Sequence, residues 1–180
     1  EYKLPDAHTV GIYVWEKVKD YLVKAGTTIF VATLIIWALL HLGPSGYVDG
    51  TAIENSFAGY IGKFLSPAFA PVGLGFWQIV VALIAGISAK EVVVSSCAVI
   101  LGAAQGSDAF MTALAGIGFG SLNAICLMVF CLLYIPCVAT LATIRKESKS
   151  WKWTIFTAVF QLVVAWVITL IVYQIGSLIV

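Results

Sequence analysis

Charge is what this chain has least of. Asp, Glu, Lys and Arg make up 11% of its 180 residues, against 61% hydrophobic ones. Soluble domains carry about 25% charged and about 45–50% apolar residues. No water-soluble fold of this length has enough interior to hide so much apolar surface, because surface-to-volume scaling limits burial. Lipid is the expected solvent. A net charge of +1 excludes a basic nucleic-acid surface and a strongly acidic partner. Histidine is scarce: His8 and His41 stand far apart, and each reads as structural rather than as a metal ligand. The four cysteines (Cys97, Cys126, Cys131, Cys137) contain no C-x-x-C pair and fit neither a zinc module nor a secreted disulfide framework. The phosphate loop G-x-x-x-x-G-K-[ST], H-E-x-x-H and G-x-S-x-G are also missing, so no catalytic residue is expected. No cleavable signal pattern follows Glu1, and the chain reads as a piece of a longer protein.

What is present is a series of apolar segments. Residues 1–8 read as a linker. In residues 9–24, Val10, Tyr13, Val14, Val18, Tyr21 and Leu22 share one helical face and Glu16, Lys17, Lys19, Asp20 and Lys24 the other. This pattern predicts an amphipathic helix at the membrane surface, so that 1–24 stands apart from a transmembrane region at 25–180. Residues 25–43 are uncharged and long enough to span hydrocarbon at about 1.5 Å per residue. Pro44-Ser45-Gly46 ends that segment in a turn. Residues 53–65 predict a second interfacial helix ended by Pro67. Residues 74–104 are apolar but interrupted by Gly86, Ser88, Lys90 and Glu91; 105–121 are small and Gly-rich; 122–144 are apolar with Pro136 inside; 153–180 form a last span. Gly116, Gly118 and Gly120 predict close helix packing or a flexible connection. Thr27, Thr28 and Thr33 are expected to tie helices together, and Trp151, Lys152 and Trp153 to anchor at the interface. The fold class is thus all-α and integral to the membrane: a helical bundle with an N-terminal amphipathic helix and at least one broken or re-entrant helix.

Charge placement constrains the threading. Lys17, Lys19 and Lys24 precede the first span, and Arg145, Lys146, Lys149 and Lys152 lie between the last two. The positive-inside rule puts both groups in the cytoplasm, so the chain crosses an even number of times between them. Segments 25–43 and 122–144 supply two crossings. Segment 74–104 is then expected to enter and leave on one side as two half-helices, broken near Gly86–Lys90, as at transporter binding sites. A straight span there restores parity only if 53–72 also crosses.

Two places carry chemistry. A charge at bilayer depth costs at least about 2.5–3.5 kcal/mol, so Lys90 and Glu91 need a reason. Helical neighbours differ by about 100° in direction and do not face each other. Ser88, Glu91 and Ser95, at i, i+3 and i+7, predict a polar stripe facing a wet cavity. Glu91 is then a hard oxygen ligand or gate on a cation path, with Lys90 as counter-charge. The structural alternative is an ion pair locking two helices, or a site at the membrane edge. At Ile135-Pro136-Cys137, proline has no N–H, so the Leu132 carbonyl loses its helical partner. In lipid it must find another donor, a water or a cation. Cys126, Cys137 and Thr140 are predicted to share a face, since eleven residues are close to three turns; Cys131 points about 140° from Cys126. A thiol, a hydroxyl and a free carbonyl suit a borderline divalent ion better than Na⁺ or Mg²⁺. Cys97, Cys126 and Cys131 also read as small apolar fillers.

Four stretches in order resemble one family. They are Trp15-Glu16-Lys17-Val18-Lys19 through Lys24-Ala25-Gly26-Thr27-Thr28-Ile29; Ala89-Lys90-Glu91-Val92-Val93-Val94-Ser95; Leu133-Tyr134-Ile135-Pro136-Cys137-Val138-Ala139-Thr140-Leu141-Ala142; and Trp151-Lys152-Trp153 with Tyr173-Gln174. The chain resembles the second membrane half, or Gate region, of the ferrous-iron transport protein B family over roughly 9–175. The resemblance implies a multi-pass Fe(II) importer of the bacterial cytoplasmic membrane. It implies a GTP-binding domain and a first membrane half outside these residues, with any GTPase activity in the former. Expected partners are the lipid bilayer, Fe(II), those missing parts, small accessory Feo proteins and further copies of the same chain as a homo-oligomer, with no nucleic acid. Fe(II) is the transported substrate and GTP belongs to the missing domain. The resemblance carries an iron-path role onto Cys137, with Pro136 as helix breaker, and a less defined role onto Lys90 and Glu91. Two other readings stand beside it: a permease for an organic solute such as a nucleoside, and a substrate-free membrane assembly module.

Overall fold

The computed structural model describes residues 7–44, 46–48 and 53–179. Residues 1–6 of the expected linker, Ser45 of the expected turn and residues 49–52 lie outside the described residues. Helix α1, Ala7–His41, is 35 residues long, about 52 Å at 1.5 Å per residue. Residues 9–24 and 25–41 therefore form one rod, with no break at 24/25, and among the described residues its apolar part, Phe30–His41, is shorter than the span expected at 25–43. Gly26 is the only breaker near that junction, and one glycine costs a helix only about 1 kcal/mol. The Thr27 hydroxyl bonds the Val23 carbonyl of its own helix at 2.8 Å. Residues 10–20 are exposed all round. The C-terminal part of α1 packs on α2 and α7. His41 is structural: Nδ1 lies 3.0 Å from the Trp37 carbonyl, and its ring stacks on Trp37 and Tyr47. Strands β1, Leu42–Gly43, and β2, Gly46–Tyr47, form a minimal hairpin after it.

Helix α2, Phe57–Phe69, starts at Ser56, whose hydroxyl accepts from Gly59 N at 3.1 Å. Pro67 does not end it. The proline sits within the last turn, and the chain tightens into a 3-10 turn, Ala70–Val72, only after Phe69. Gly73, at φ 74°, then redirects the chain. Segment Phe57–Val72 meets helix α3, Trp77–Ala85, at 103°. After residues 86–91 comes α4, Val92–Ile100, which packs back on α3. The expected interruption is present, and a second bend at 73–76 precedes it. The Gly-rich 105–121 stretch contains helix α5, Asp108–Gly116, started by the Ser107 cap on Phe110 N at 3.2 Å and by an acidic first turn. Gly116 and Gly118 have no close neighbour, so they mark no tight helix contact.

Helix α6, Ser121–Leu133, and helix α7, Val138–Ser148, are the two halves of one apolar stretch broken at 134–137. Lys149, at φ 49°, turns the chain into α8, Trp151–Ile179. Ser121–Ser148 and Trp151–Leu178 are long and apolar enough to cross a membrane, and the bent pair of α2 and α3 adds a third candidate. Helices α6 and α8 pack closely, with Gly176 against Leu122 and with Ala165 and Thr169 fully buried. The core between α3, α4, α6 and α8 holds Ile79, Leu83, Val93, Cys97, Cys126 and Phe130. Polar ties fix its rim: Asn123 Nδ2 donates to the Gly73 carbonyl at 2.6 Å, and Trp166 Nε1 to the Ala68 carbonyl at 3.0 Å. The protein is an all-α membrane bundle with two interrupted helices.

Candidate functional site at the crossing of two broken helices

The two interruptions meet and complete each other. An unbroken helix would bond Pro136 N to Leu132 O and Val138 N to Tyr134 O. Proline has no N–H, which frees the Leu132 carbonyl. Tyr134 and Cys137 are extended, with ψ 178° and 157°, so Val138 N turns outward and donates to the Ile87 carbonyl in the first break at 3.1 Å. That frees the Tyr134 carbonyl as well. Lys90, from the same first break, fills both vacancies: its Nζ lies 3.3 Å from Leu132 O and 3.2 Å from Tyr134 O. The ammonium also sits 5.2 Å from the centre of the Tyr134 ring, a cation–π distance. A cation at the C-terminal end of α6 is favoured by the helix dipole. The partner that the freed carbonyl needed is thus a side chain of the protein itself.

The crossing gathers most of the residues singled out in the sequence. Cys137 is the N-cap of α7, and its Sγ lies 3.3 Å from Thr140 Oγ1. Glu91 closes the first break at the start of α4 and is exposed. Ser88 is buried in the break and spends its hydroxyl on the Ala85 carbonyl at 2.8 Å. Ser95, on α4, bonds the Val92 carbonyl at 3.2 Å.

Three expectations are corrected. Ser88, Glu91 and Ser95 form no single stripe, because Ser88 and Glu91 precede α4 and only Ser95 lies within it. Cys126 shares no face with Cys137: the non-helical residues 134–137 reset the helical phase, and Cys126 is fully buried in the apolar core. Lys90 is not the counter-charge of Glu91; its partners are carbonyls and a ring, and it makes no ion pair among the described residues. Sequence reasoning missed Tyr134 and the Ile87 carbonyl. Tyr134 is 3% exposed, stacks on Phe130 at 5.6 Å and presses its hydroxyl end against Gly86. Its position two residues before Pro136 was the available signal.

Among the described residues, no three His, Cys, Asp or Glu side chains gather as a metal cage. The donor set at the crossing is one thiol, one carboxylate, one threonine hydroxyl and carbonyl oxygens. Beside it, between α1, α3 and α7, lies a cavity of about 530 Å³ lined by Thr27, Val31, Ile35, Ile84, Ile87 and Val138 among others. It is almost wholly apolar.

Interrupted helices whose broken backbones are satisfied by each other and by an intramembrane lysine define a polytopic membrane module of the transporter type. Residues 22–151 match the family model Gate, described as nucleoside recognition, and the chain belongs to that family. Within it the relatives are ferrous-iron transport proteins. The chain is 44% identical over 177 residues to the Fe(2+) transporter FeoB of Staphylococcus aureus (strain MSSA476), which covers 98% of this chain and 26% of the relative. It is 39% identical to the Fe(2+) transporter FeoB of Methanocaldococcus jannaschii, over 98% of this chain and 27% of the relative. It is 29% identical to a Fe(2+) transport protein A/Fe(2+) transporter FeoB fusion protein of Porphyromonas gingivalis, over 98% and 26%. The chain spans about a quarter of the length of these curated relatives. No solved structure matches it significantly. The resemblance to the ferrous-iron transport protein B family holds.

Proposed function

We propose that this chain is part of the membrane pathway of a ferrous-iron importer in the bacterial cytoplasmic membrane. Fe(II) passes the crossing of residues 86–91 and 134–137. The observation that carries the reading is the docking of the two breaks: Val138 N bonds Ile87 O and Lys90 bonds the carbonyls released from helical bonding, with Cys137 and Thr140 at the start of α7 and Glu91 next to Lys90 in the chain. A thiol with oxygen donors suits a borderline divalent ion. An open set of few ligands suits transit, where an ion must bind and leave. In the full-length protein a GTP-binding domain and a first membrane half complete the machine, and this chain carries no catalysis of its own. The fused relative supports association with small Feo proteins. Homo-oligomers of the full-length protein belong to the same reading.

Ferrous-iron uptake by cells expressing the full-length protein tests this. Cys137→Ser and Glu91→Gln are expected to lower uptake at least about tenfold, the effect of about 1.4 kcal/mol. Serine is itself a good helix N-cap, so a loss in Cys137→Ser does not come from a damaged start of α7. Normal uptake in both variants overturns the proposal and leaves an assembly module as the better reading.

The family description supports a second reading, an organic-solute permease. That reading needs polar and aromatic groups around its ligand. The cavity beside the crossing offers mostly Val and Ile, and its Thr27 hydroxyl already bonds the Val23 carbonyl. Inhibition of iron uptake by nucleosides would favour it.

A further inference from the structure

Resting on that reading, we propose that Lys90 is a tethered cation that occupies a cation cradle in the pathway and must be displaced by the transported ion. The cradle is the C-terminal end of α6. Its two carbonyls, Leu132 O and Tyr134 O, are released by Pro136 and by the donation of Val138 N to Ile87 O. The negative end of a 13-residue helix points at them, and the Tyr134 ring forms one wall. Carbonyl oxygens and an aromatic face are what a partly dehydrated cation uses in place of water. Lys90 holds that place without a carboxylate partner among the described residues.

Charge makes the occupancy exclusive. A divalent ion held by Cys137 and Glu91 repels the ammonium. Lys90 is only half-buried, so the displaced ammonium has water to move into. The crossing also holds an unfinished bond: the Tyr134 hydroxyl is buried and has no hydrogen-bond partner among the described residues. A hydrated ion entering beside it supplies one. Lys90 is therefore a positioning residue that sets the affinity of the pathway, and its departure is the opening step at this level.

The test uses the full-length protein. If Lys90 fills the cradle nine-tenths of the time, its removal tightens apparent affinity about tenfold, since competence limits the observed constant. Lys90→Gln, uncharged but still a donor, is expected to lower KM for ferrous-iron uptake, whereas Lys90→Arg keeps the wild-type KM. Equal KM in wild type, Lys90→Gln and Lys90→Arg overturns the proposal and leaves Lys90 as a structural cap. Because Lys90→Gln is liable to misfold, the wild-type protein supplies a second measurement. Acylation of Lys90 by a small amine reagent, read by mass spectrometry, is expected to increase with Fe(II) and not with Mg²⁺. Labelling indifferent to Fe(II) also overturns the proposal. The two readings separate cleanly: normal uptake in Cys137→Ser and Glu91→Gln defeats the iron path, whereas impaired uptake in them with unmoved Lys90 labelling defeats the tethered cation alone.

Discussion

Gly86 is the tightest point of the crossing, and replacing it by alanine tests the packing described above. Gly86 closes α3 at φ −65° and ψ −11°, an ordinary right-handed conformation, so its need for glycine is one of space. A Cβ there meets the Val93 Cγ2 methyl and lies 2.6 Å from Tyr134 Oη. Neither neighbour has room to yield. Val93 is 1% exposed, and the Tyr134 ring is stacked on Phe130, which meets Phe69 edge-on at 5.5 Å. Overpacking of this kind costs about 1–3 kcal/mol. Against it, alanine reduces the entropy of the unfolded chain and favours folding by about 0.4–1 kcal/mol. The expected net loss is between about 0 and about 2.6 kcal/mol, and the loss relative to a glycine-to-alanine change in open space is the full overpacking cost of about 1–3 kcal/mol. Gly116→Ala is the control, with nothing within 4 Å of its new methyl; it is expected to be neutral or slightly stabilising. Thermal unfolding of the full-length protein in one detergent compares these with Gly86→Ala/Tyr134→Phe. The double variant removes the hydroxyl contact but not the Val93 contact, so it recovers part of the loss. Iron uptake falls in Gly86→Ala, because moving Tyr134 moves the surface on which Lys90 rests. Gly86→Ala as stable as Gly116→Ala, or no recovery on adding Tyr134→Phe, refutes this account of the crossing.

Three further outcomes are expected. Asn123→Ala loses the bonds to Gly73 O at 2.6 Å and from Gly120 N at 3.0 Å, about 1–3 kcal/mol together, seen as a lower unfolding temperature. Cys126→Ala removes a fully buried core sulfur; it costs stability of order 1 kcal/mol and leaves the KM for ferrous iron unchanged, in contrast to Cys137→Ser. Single cysteines at Gly106 and Ser148, probed with an impermeant thiol reagent in intact cells, label on opposite sides of the membrane; labelling on the same side excludes re-entry of 74–104.

Much of this architecture was legible because lipid makes backbone interruptions costly and therefore informative. Pro136 alone required a freed Leu132 carbonyl and a donor for it. The break between Gly86 and Glu91 was expected from charge parity, with a straight span left open as the alternative. The partner in each case was not legible. Helical phase counts residues along one helix, and the non-helical residues 134–137 stop the count, so Cys126 and Cys137 share no face. Counting on through a break likewise put Ser88 on a stripe with Ser95. The continuity of α1 was hidden by a change of composition at residue 24 that looks like a boundary but contains no breaker strong enough to end a helix. Tyr134 reads as one more aromatic in an apolar run until the fold places an ammonium over its ring.

The exchange of bonds between the two breaks has a mechanical consequence. Val138 N needs Ile87 O, and the two α6 carbonyls need Lys90; each break supplies what the other lost. In lipid neither break is stable alone, because unsatisfied backbone groups cost about 1–3 kcal/mol each even by protein mutational measures. The breaks must therefore form, shift and separate together. An ion that changes the partners of Cys137 at the start of α7 acts at once on residues 86–91, and through them on α3 and α4. Ser66 and Asn123 hold the 73–76 bend by bonding the Gly75 and Gly73 carbonyls. The two interruptions, at 86–91 and 134–137, thus act as one joint, and the charge that locks it is the protein's own Lys90 ammonium.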